Sequence, residues 1–301
     1  MEKNLKLSKI QQALFQPYRE RVPDVGRIVN QMIVKGIIPT EQAIENDHIA
    51  FRTLGVPHLG IRSFEKIFLH YGYTRKDAYF FEKKRLNAFW YAPPSPEFPR
   101  VFISELRVED FPQDIQEILH KYTHSISSDP VDDIDLDSVD DVSRFFHQPL
   151  WELPTLEDYQ TLAEASEYAS WVIYNRYYLN HYTISVHALP KGYNTLEEFN
   201  DFLESIGVVL NTAGGKIKVS PDGLLRQSSS VAHEVEARFA GDARMKIPGS
   251  YVEFAERLVL PEFQGLASQQ LQRHHRREGF EAGNADKIFE STFQEQVKQQ
   301  S

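Results

Sequence analysis

The sequence predicts an α+β fold in which two βαβββ modules form one central curved sheet. Three observations lead to this prediction. A strand, a helix and three more strands are predicted in order between residues 46 and 106, and the same order returns between residues 176 and 260. A helical stretch separates the two halves. Because two such units can pack around a shared polar cup, the repeat indicates an internal duplication, although the halves share little residue identity.

The first 45 residues are predicted to form a helical arm. Apolar residues such as Ile10, Leu14 and Tyr18 recur at helical spacing there. From Asp47 the period changes to two. DHIAFRTL alternates as a strand, SFEKIFLHYGY follows as a helix, and AYFFEKKRLNAFWYAP and PRVFISEL are rich in strand-forming aromatic and β-branched residues.

A helical insertion is predicted over residues 107–175, from patterns such as DIQEILHKYTHSI. The second module then contains NHYTISVHAL as a strand, TLEEFNDFLESIGV as a helix, hairpin strands within GGKIKVSPDGLLRQSSSVAHEVEARFA, and GSYVEFAERLVL as the last strand. Residues 261–301 are predicted to be a C-terminal helical extension. We expect the whole chain, 1–301, to be a single catalytic domain.

Composition excludes several classes of function. The chain has 301 residues, 33 Lys plus Arg and 43 Asp plus Glu, so its formal net charge is -10. A broad phosphate-binding surface is therefore not expected, and nucleic acid is not a predicted partner. The absence of cysteine excludes disulfides, thiolate metal sites and a cysteine nucleophile. Any metal must be held by His, Asp or Glu.

The sequence contains no targeting or membrane segment of the secretory type. No apolar run reaches 18 residues, and the N-terminal residues show neither a signal-peptide apolar block nor a small-residue cleavage site. No membrane partner is predicted, and the cytoplasm is the expected location.

Three predicted strands carry polar side chains on one face only. His48 and Arg52 share a face of DHIAFRTL, His181 and His187 share a face of NHYTISVH, and Glu253 lies on the polar face of YVEFAER. The opposite faces are apolar, so we expect the polar faces to line a site.

A duplicated fold that brings its equivalent first strands together places His48 near His181, and a neighbouring last strand supplies Glu253. Two imidazoles and one carboxylate form the ligand set of non-haem Fe(II) oxygenases, which leaves positions open for substrate and oxygen. With a divalent ion its net charge is about +1, which suits an anionic chelating substrate. Arg52 lies roughly 13 Å along the strand from His48, within reach of the far end of a short dicarboxylate.

Residue patterns alone leave simpler explanations open. A single His in a strand is more often structural than a metal ligand, and the spacing between the three proposed ligands matches no short metal motif. Glu253 is equally able to pair with Arg257, and Arg52 to form a structural ion pair.

Longer segments carry a resemblance to a known family. DHIAFRTL, YNRYYLNHYTISVH, SPDGLLRQSSSVA, YVEFAER and EGFEAGNADKIFEST together resemble the 2-oxoadipate dioxygenase/decarboxylase family, a divergent branch of the vicinal oxygen chelate superfamily. The resemblance covers nearly the whole chain. It implies that His48, His181 and Glu253 bind Fe(II) and that Arg52 holds the substrate carboxylate.

The resemblance also implies two further substrate contacts and a reaction. Gln227 matches a family glutamine expected near the substrate, and Asn284 lies in a segment expected to close the pocket. The implied partners are a 2-oxo acid and O2, and the implied reaction turns 2-oxoadipate into 2-hydroxyglutarate and carbon dioxide without a separate co-substrate.

Two other classes of function remain open from the sequence. A metal-dependent isomerase or lyase can use the same duplicated scaffold, because a fold does not determine chemistry. A non-catalytic ligand-binding protein is the third candidate. The sequence does not predict the oligomeric state.

Overall fold

The computed structural model describes residues 2–300. Ten α-helices span Glu2–Arg21 (α1), Pro23–Val34 (α2), Ile61–His70 (α3), Gln113–Thr123 (α4), Val139–Phe145 (α5), Leu156–Ala165 (α6), Glu167–Asn175 (α7), Leu196–Ser205 (α8), Ala282–Ile288 (α9) and Gln294–Val297 (α10) within that range. Ten strands span Asn46–Leu54 (β1), Thr74–Phe81 (β2), Leu86–Ala92 (β3), Arg100–Leu106 (β4), His181–Ser185 (β5), Lys218–Val219 (β6), Leu225–Ser229 (β7), Glu234–Arg238 (β8), Arg244–Pro248 (β9) and Tyr251–Arg257 (β10).

Eight strands form one mixed sheet in the order β2-β3-β4-β1-β5-β10-β7-β6. In each half the first strand lies parallel to the last, β1 beside β4 and β5 beside β10, and the two halves meet where β1 pairs antiparallel with β5. The strands β8 and β9 form a separate hairpin inserted into the second half. The predicted fold class, a duplicated βαβββ arrangement of the vicinal oxygen chelate type, is confirmed.

Alternation along the strands assigns one sheet face to the helices. Phe51 of β1 packs against Phe64 and Phe68 of α3, with ring centroids 4.9 and 5.6 Å apart, and Phe254 of β10 packs against Phe199 of α8 at 5.4 Å. Because successive strand residues point to opposite faces, the residues next to Phe51 and Phe254 in sequence point away from these helices. The polar side chains of β1 and β10 that are predicted to line a site lie on that second face.

The C-terminal segment crosses the polar face of the sheet. Helix α9 contacts β2 at one edge of the sheet and β6 and β7 at the other edge. Apart from α9, the predicted helical extension contains only short 3-10 turns and the single-turn helix α10, joined by irregular chain, within the described residues. This segment therefore closes the cup that the curved sheet leaves open.

One strand is shorter than predicted. β5 ends at Ser185, and Val186–Ala188 form a 3-10 turn, so His187 does not share a strand face with His181. Pro190, which lacks a backbone N–H, follows closely and cannot extend a ladder. The Nδ1 atom of His187 instead accepts a hydrogen bond from the Arg257 backbone N–H at 3.2 Å.

Within residues 2–300, no helix is both long and apolar enough to cross a bilayer. That the whole chain is a single catalytic domain, with the five segment boundaries given above, stays a prediction.

Candidate metal centre

The three predicted ligands lie on three consecutive strands at the centre of the sheet. His48 is on β1, His181 begins β5, and Glu253 is on β10, opposite Thr183 of β5. The two imidazole rings have centroids 5.4 Å apart and stand nearly perpendicular, at 86°. The antiparallel junction of the two halves therefore brings together side chains that are 133 and 72 residues apart in sequence.

The potential donor atoms of these three residues converge in a buried position. One ligand atom from each lies within 4.8 Å of the others. His181 Nε2 is 3.1 Å and His48 Nε2 is 3.5 Å from the Glu253 carboxylate, and the Thr183 hydroxyl is 3.1 Å from His48 Nε2. Two imidazole nitrogens and one carboxylate on one side of a common point fit a divalent cation with open coordination positions.

The other ring nitrogen of each histidine is held by the residue that precedes it. His48 Nδ1 lies 2.8 Å from the Asp47 carboxylate, and His181 Nδ1 lies 2.9 Å from the Asn180 side-chain oxygen. An acceptor beside Nδ1 favours the tautomer with the proton on Nδ1 and the Nε2 lone pair toward the site, which is the tautomer a metal requires. The two halves differ, because one acceptor is charged and the other is neutral.

Asp47 belongs to a buried network of charges. Its carboxylate accepts hydrogen bonds from Arg257 Nε at 2.6 Å and Nη2 at 2.9 Å, and from Arg100 Nη1 at 3.2 Å. Arg100 also pairs with Glu278, and Arg257 Nη1 donates to the carbonyl of Gly279 at 2.7 Å. The network thus links Asp47, which contacts His48 Nδ1, to Glu278 and Gly279 of the C-terminal segment.

Burial and charge act against each other on these groups. Burial raises the pKa of Glu253, but the two histidines overcome it and leave the pKa well below the usual range. Burial lowers the pKa of both histidines. It prevails at His181, whereas Glu253 and Asp47 leave the pKa of His48 raised. For Asp47 itself, the charges of Arg257 and Arg100 outweigh burial and hold the pKa well below its ordinary value.

Arg52 lies on the same strand face as His48 and is 1% exposed. Its Nη1 donates to the Thr292 hydroxyl at 3.0 Å and its Nη2 to the Phe289 carbonyl at 3.2 Å. The guanidinium stacks over the rings of Tyr168 and Trp171, each 5.0 Å from the ring centroid. Within residues 2–300 no carboxylate pairs with it, and its Nε has no acceptor. The structural ion pair considered for Arg52 is therefore not formed.

Gln227 and Asn284 connect Glu253 to the C-terminal segment. Gln227 Nε2 donates to Glu253 Oε1 at 2.6 Å, and Asn284 Nδ2 donates to Gln227 Oε1 at 3.0 Å. Asn284 lies on α9 and is 3% exposed. Both residues are therefore at the site, where Gln227 contacts Glu253 and Asn284, and Asn284 also donates to the backbone carbonyls of Lys218 and Leu225 at 3.4 and 3.3 Å.

A cavity of about 20 Å³ opens onto the triad. Its lining is mainly apolar apart from the ligands and Gln227, and it consists of Phe102, Tyr251, Phe280, Ala285, Ile288 and Phe289. A cavity of this size holds about one water molecule. The C-terminal segment supplies four of the lining residues and thereby separates the triad from bulk water.

Sequence reasoning missed the residues that support the predicted ligands. Asp47 and Asn180 stand directly before the two histidines, so the Asp-His and Asn-His pairs at equivalent strands were the available signal. The Arg257–Asp47 pair had no such signal, because its members are 210 residues apart and only the fold joins them.

Comparison with known proteins finds one family and similar proteins of known structure. Residues 10–271 match the family described as 2-oxoadipate dioxygenase/decarboxylase. The chain is similar to the chloroplastic 2-oxoadipate dioxygenase/decarboxylase of Arabidopsis thaliana, with 44% identity over 87% of this chain and 71% of the relative. It is also similar to the chloroplastic/amyloplastic protein of that name from Oryza sativa subsp. japonica, with 42% identity over 85% of this chain and 71% of the relative.

A solved structure matches almost the full length. The hydroxyglutarate synthase from Oryza sativa, crystallised in complex with 2-oxoadipate, has a TM-score of 0.88 and 38% identity. The match covers 99% of this chain and 94% of that chain.

The prediction of a cytoplasmic location is wrong, since the two curated relatives are plastid proteins. The missing apolar block argued only against secretion and membrane insertion. Transit peptides are amphipathic and carry no such block, so the observation did not bear on a plastid address.

Proposed function

The chain belongs to the 2-oxoadipate dioxygenase/decarboxylase family, and from this premise we propose that it converts 2-oxoadipate and O2 into 2-hydroxyglutarate and carbon dioxide. The atoms balance without a reductant, because one oxygen atom enters the new carboxylate and the other the new hydroxyl group. The observation that carries the proposal is a buried His-His-Glu triad on the same polar sheet face as a buried arginine with no carboxylate partner in the described chain.

We propose Fe(II) as the cation that His48, His181 and Glu253 hold. The donor set supports this choice, because a two-His, one-carboxylate face with open positions is typical of non-haem Fe(II) oxygenases. Bound Fe(II) would supply the redox chemistry and the coordination positions that a 2-oxo acid and O2 require. The protein contributes the orientation of the ligands through Asp47 and Asn180.

Arg52 is proposed to bind the carboxylate at the far end of the substrate. A buried guanidinium without a counterion is costly, and a substrate carboxylate would neutralise it through charge-assisted hydrogen bonds. With one end of the acid at the triad and the other at Arg52, the carbon chain is held in one orientation. That orientation presents a particular methylene group for hydroxylation.

The apolar wall is proposed to exclude water during the reaction. A six-carbon dicarboxylate is much larger than the single water that the cavity of about 20 Å³ accommodates. Substrate binding therefore requires Phe280, Ile288 and Phe289 of the C-terminal segment to move outward. The contacts of Asn284 with Gln227, and of Gln227 with Glu253, support roles for both residues in positioning the third ligand and the adjacent end of the substrate.

Oxygen uptake by anaerobically iron-loaded protein tests the proposal. We expect 2-oxoadipate to trigger uptake with one 2-hydroxyglutarate and one carbon dioxide formed per O2, and we expect less with 2-oxoglutarate or an aromatic 2-oxo acid. His181→Ala should abolish uptake, whereas His124→Ala, at an exposed histidine outside the site, should not. Turnover that needs no oxygen or proceeds with zinc would instead support an isomerase or lyase, and no turnover despite bound Fe(II) would support a binding protein.

A further inference from the structure

The Tyr251 hydroxyl is an unsatisfied polar group in the wall of the site. Tyr251 is 0% exposed, and its hydroxyl has no hydrogen-bond partner within the described residues 2–300. Buried hydroxyl groups normally find an acceptor, because leaving a donor unpaired away from water costs free energy. The exception therefore needs an explanation.

Tyr251 lies between the triad and Arg52. Its ring contacts that of His181, with centroids 4.7 Å apart and planes at 30°, and it lines the cavity beside His48 and Glu253. The Arg52 charge acts on the phenol strongly enough to oppose the effect of burial on the pKa of Tyr251. The strand register puts the two side chains on the same sheet face and one step apart, because Tyr251 is level with His181 and Ala50, and Arg52 lies two residues beyond Ala50. The phenol and the guanidinium are close enough to act on each other's pKa, but no Tyr251–Arg52 hydrogen bond of ordinary geometry forms, and Arg52 Nε also lacks an acceptor within residues 2–300.

We propose that the Tyr251 hydroxyl and Arg52 together bind the distal carboxylate of the substrate, which makes Tyr251 a specificity residue for dicarboxylic 2-oxo acids. This inference rests on the proposed function. A carboxylate has two oxygens and about four lone-pair positions, so it can accept from the phenol and from the guanidinium at once. A substrate that ends in a methyl group leaves the phenol and Arg52 Nε without an acceptor, and a site built to form hydrogen bonds discriminates strongly against such an analogue.

Tyr168 provides a matched comparison. It also contacts Arg52, but its hydroxyl is already paired with the Ser104 hydroxyl at 2.8 Å and accepts from the Thr53 backbone N–H at 3.2 Å. Removing that hydroxyl breaks structural hydrogen bonds. Removing the Tyr251 hydroxyl breaks no hydrogen bond of ordinary geometry within residues 2–300.

Anaerobic calorimetry on the iron-loaded protein tests the inference, with 2-oxoadipate and 2-oxohexanoate as ligands. The two acids differ only in the distal carboxylate. We expect Tyr251→Phe to weaken 2-oxoadipate binding roughly 10- to 100-fold, the range for a hydrogen bond to a charged group, and 2-oxohexanoate binding less than about threefold. Tyr168→Phe should leave the ratio of the two dissociation constants unchanged.

The melting temperature of the metal-free protein gives a second measurement. Tyr251→Phe should melt at or above the wild-type temperature, whereas Tyr168→Phe should melt below it. A lower melting temperature for Tyr251→Phe, or equal weakening of both acids, would overturn the role of Tyr251 and leave the proposed function intact. If wild-type protein binds neither acid, the proposed function itself fails.

Discussion

Replacing Asp47 by Asn tests whether the buried charges behind His48 hold the metal ligand and the fold together. Asp47, Arg257 and Arg100 are 1%, 1% and 2% exposed. The substitution keeps the size of the side chain but removes the only carboxylate that Arg257 contacts within residues 2–300. Breaking a buried ion pair from one side costs about 3–5 kcal/mol, because the remaining charge is left without compensation. We expect a loss of unfolding free energy of that size in the metal-free protein.

The same substitution should weaken metal binding. His48 would lose the anionic acceptor of its Nδ1 proton, and changes to such outer partners typically reduce metal affinity 10- to 100-fold. The two effects are measured separately, by urea unfolding of the metal-free protein and by titration with Co(II) against a competing chelator. Asp141→Asn is the control, since Asp141 pairs with the largely exposed Arg144 and should cost less than about 1 kcal/mol.

Equal unfolding free energies for Asp47→Asn and Asp141→Asn would refute the reasoning about burial. Unchanged Co(II) affinity together with the expected loss of stability would show that Asp47 supports the fold without orienting His48.

Three further predictions concern substrate, pH and the closing segment. Arg52→Ala should reduce kcat/KM for 2-oxoadipate far more than it reduces the amount of iron bound per chain. Equal fractional losses of kcat/KM and of bound iron would show that Arg52 has a structural role. Burial lowers the pKa of His187 to about 3, so the unfolded state binds more protons than the folded state between about pH 3 and 6.5. The free energy of unfolding therefore rises with pH in that range, by at most about 1.4 kcal/mol per pH unit. In urea unfolding, His187→Asn should show a smaller rise of the unfolding free energy with pH than the wild type. Asn284→Ala should speed amide hydrogen exchange in α9 but not in α8; unchanged α9 exchange would mean that Asn284 does not secure this helix.

A difference between the two duplicated halves explains why the described part of the sheet has one triad and not two. The halves are equivalent at His48 and His181, which lie on β1 and β5, and each of these strands is parallel to the last strand of its own half. Two residues further along, the parallel neighbour is Phe102 in the first half and Glu253 in the second. The first half therefore contributes an apolar wall at the position where the second contributes a ligand.

Much of the fold could be predicted because it depends on short-range patterns, whereas the assignment of His48, His181 and Glu253 as metal ligands needed the family resemblance as well. The period of two in DHIAFRTL and YVEFAER already placed His48, Arg52 and Glu253 on polar strand faces, and the repeated element order indicated the duplication. His187 was misplaced because an alternating pattern continues past Ser185 although the ladder does not. The strand β5 ends where its hydrogen-bond pairing with β1 and β10 ends, and those strands are distant from it in sequence.

The sequence by itself determined which side chains share a strand face, since the direction of a side chain in a strand follows from the backbone alone. It also excluded thiolate metal sites and a cysteine nucleophile, since the chain has no cysteine. Only the tertiary structure decided which partner each buried group meets: the Asp47 carboxylate meets Arg257, whereas Arg52 Nε and the Tyr251 hydroxyl have no acceptor of ordinary geometry within residues 2–300. The reason is physical. Hydrogen-bond satisfaction depends on distances of about 3 Å between groups far apart along the chain, and no local pattern encodes such distances.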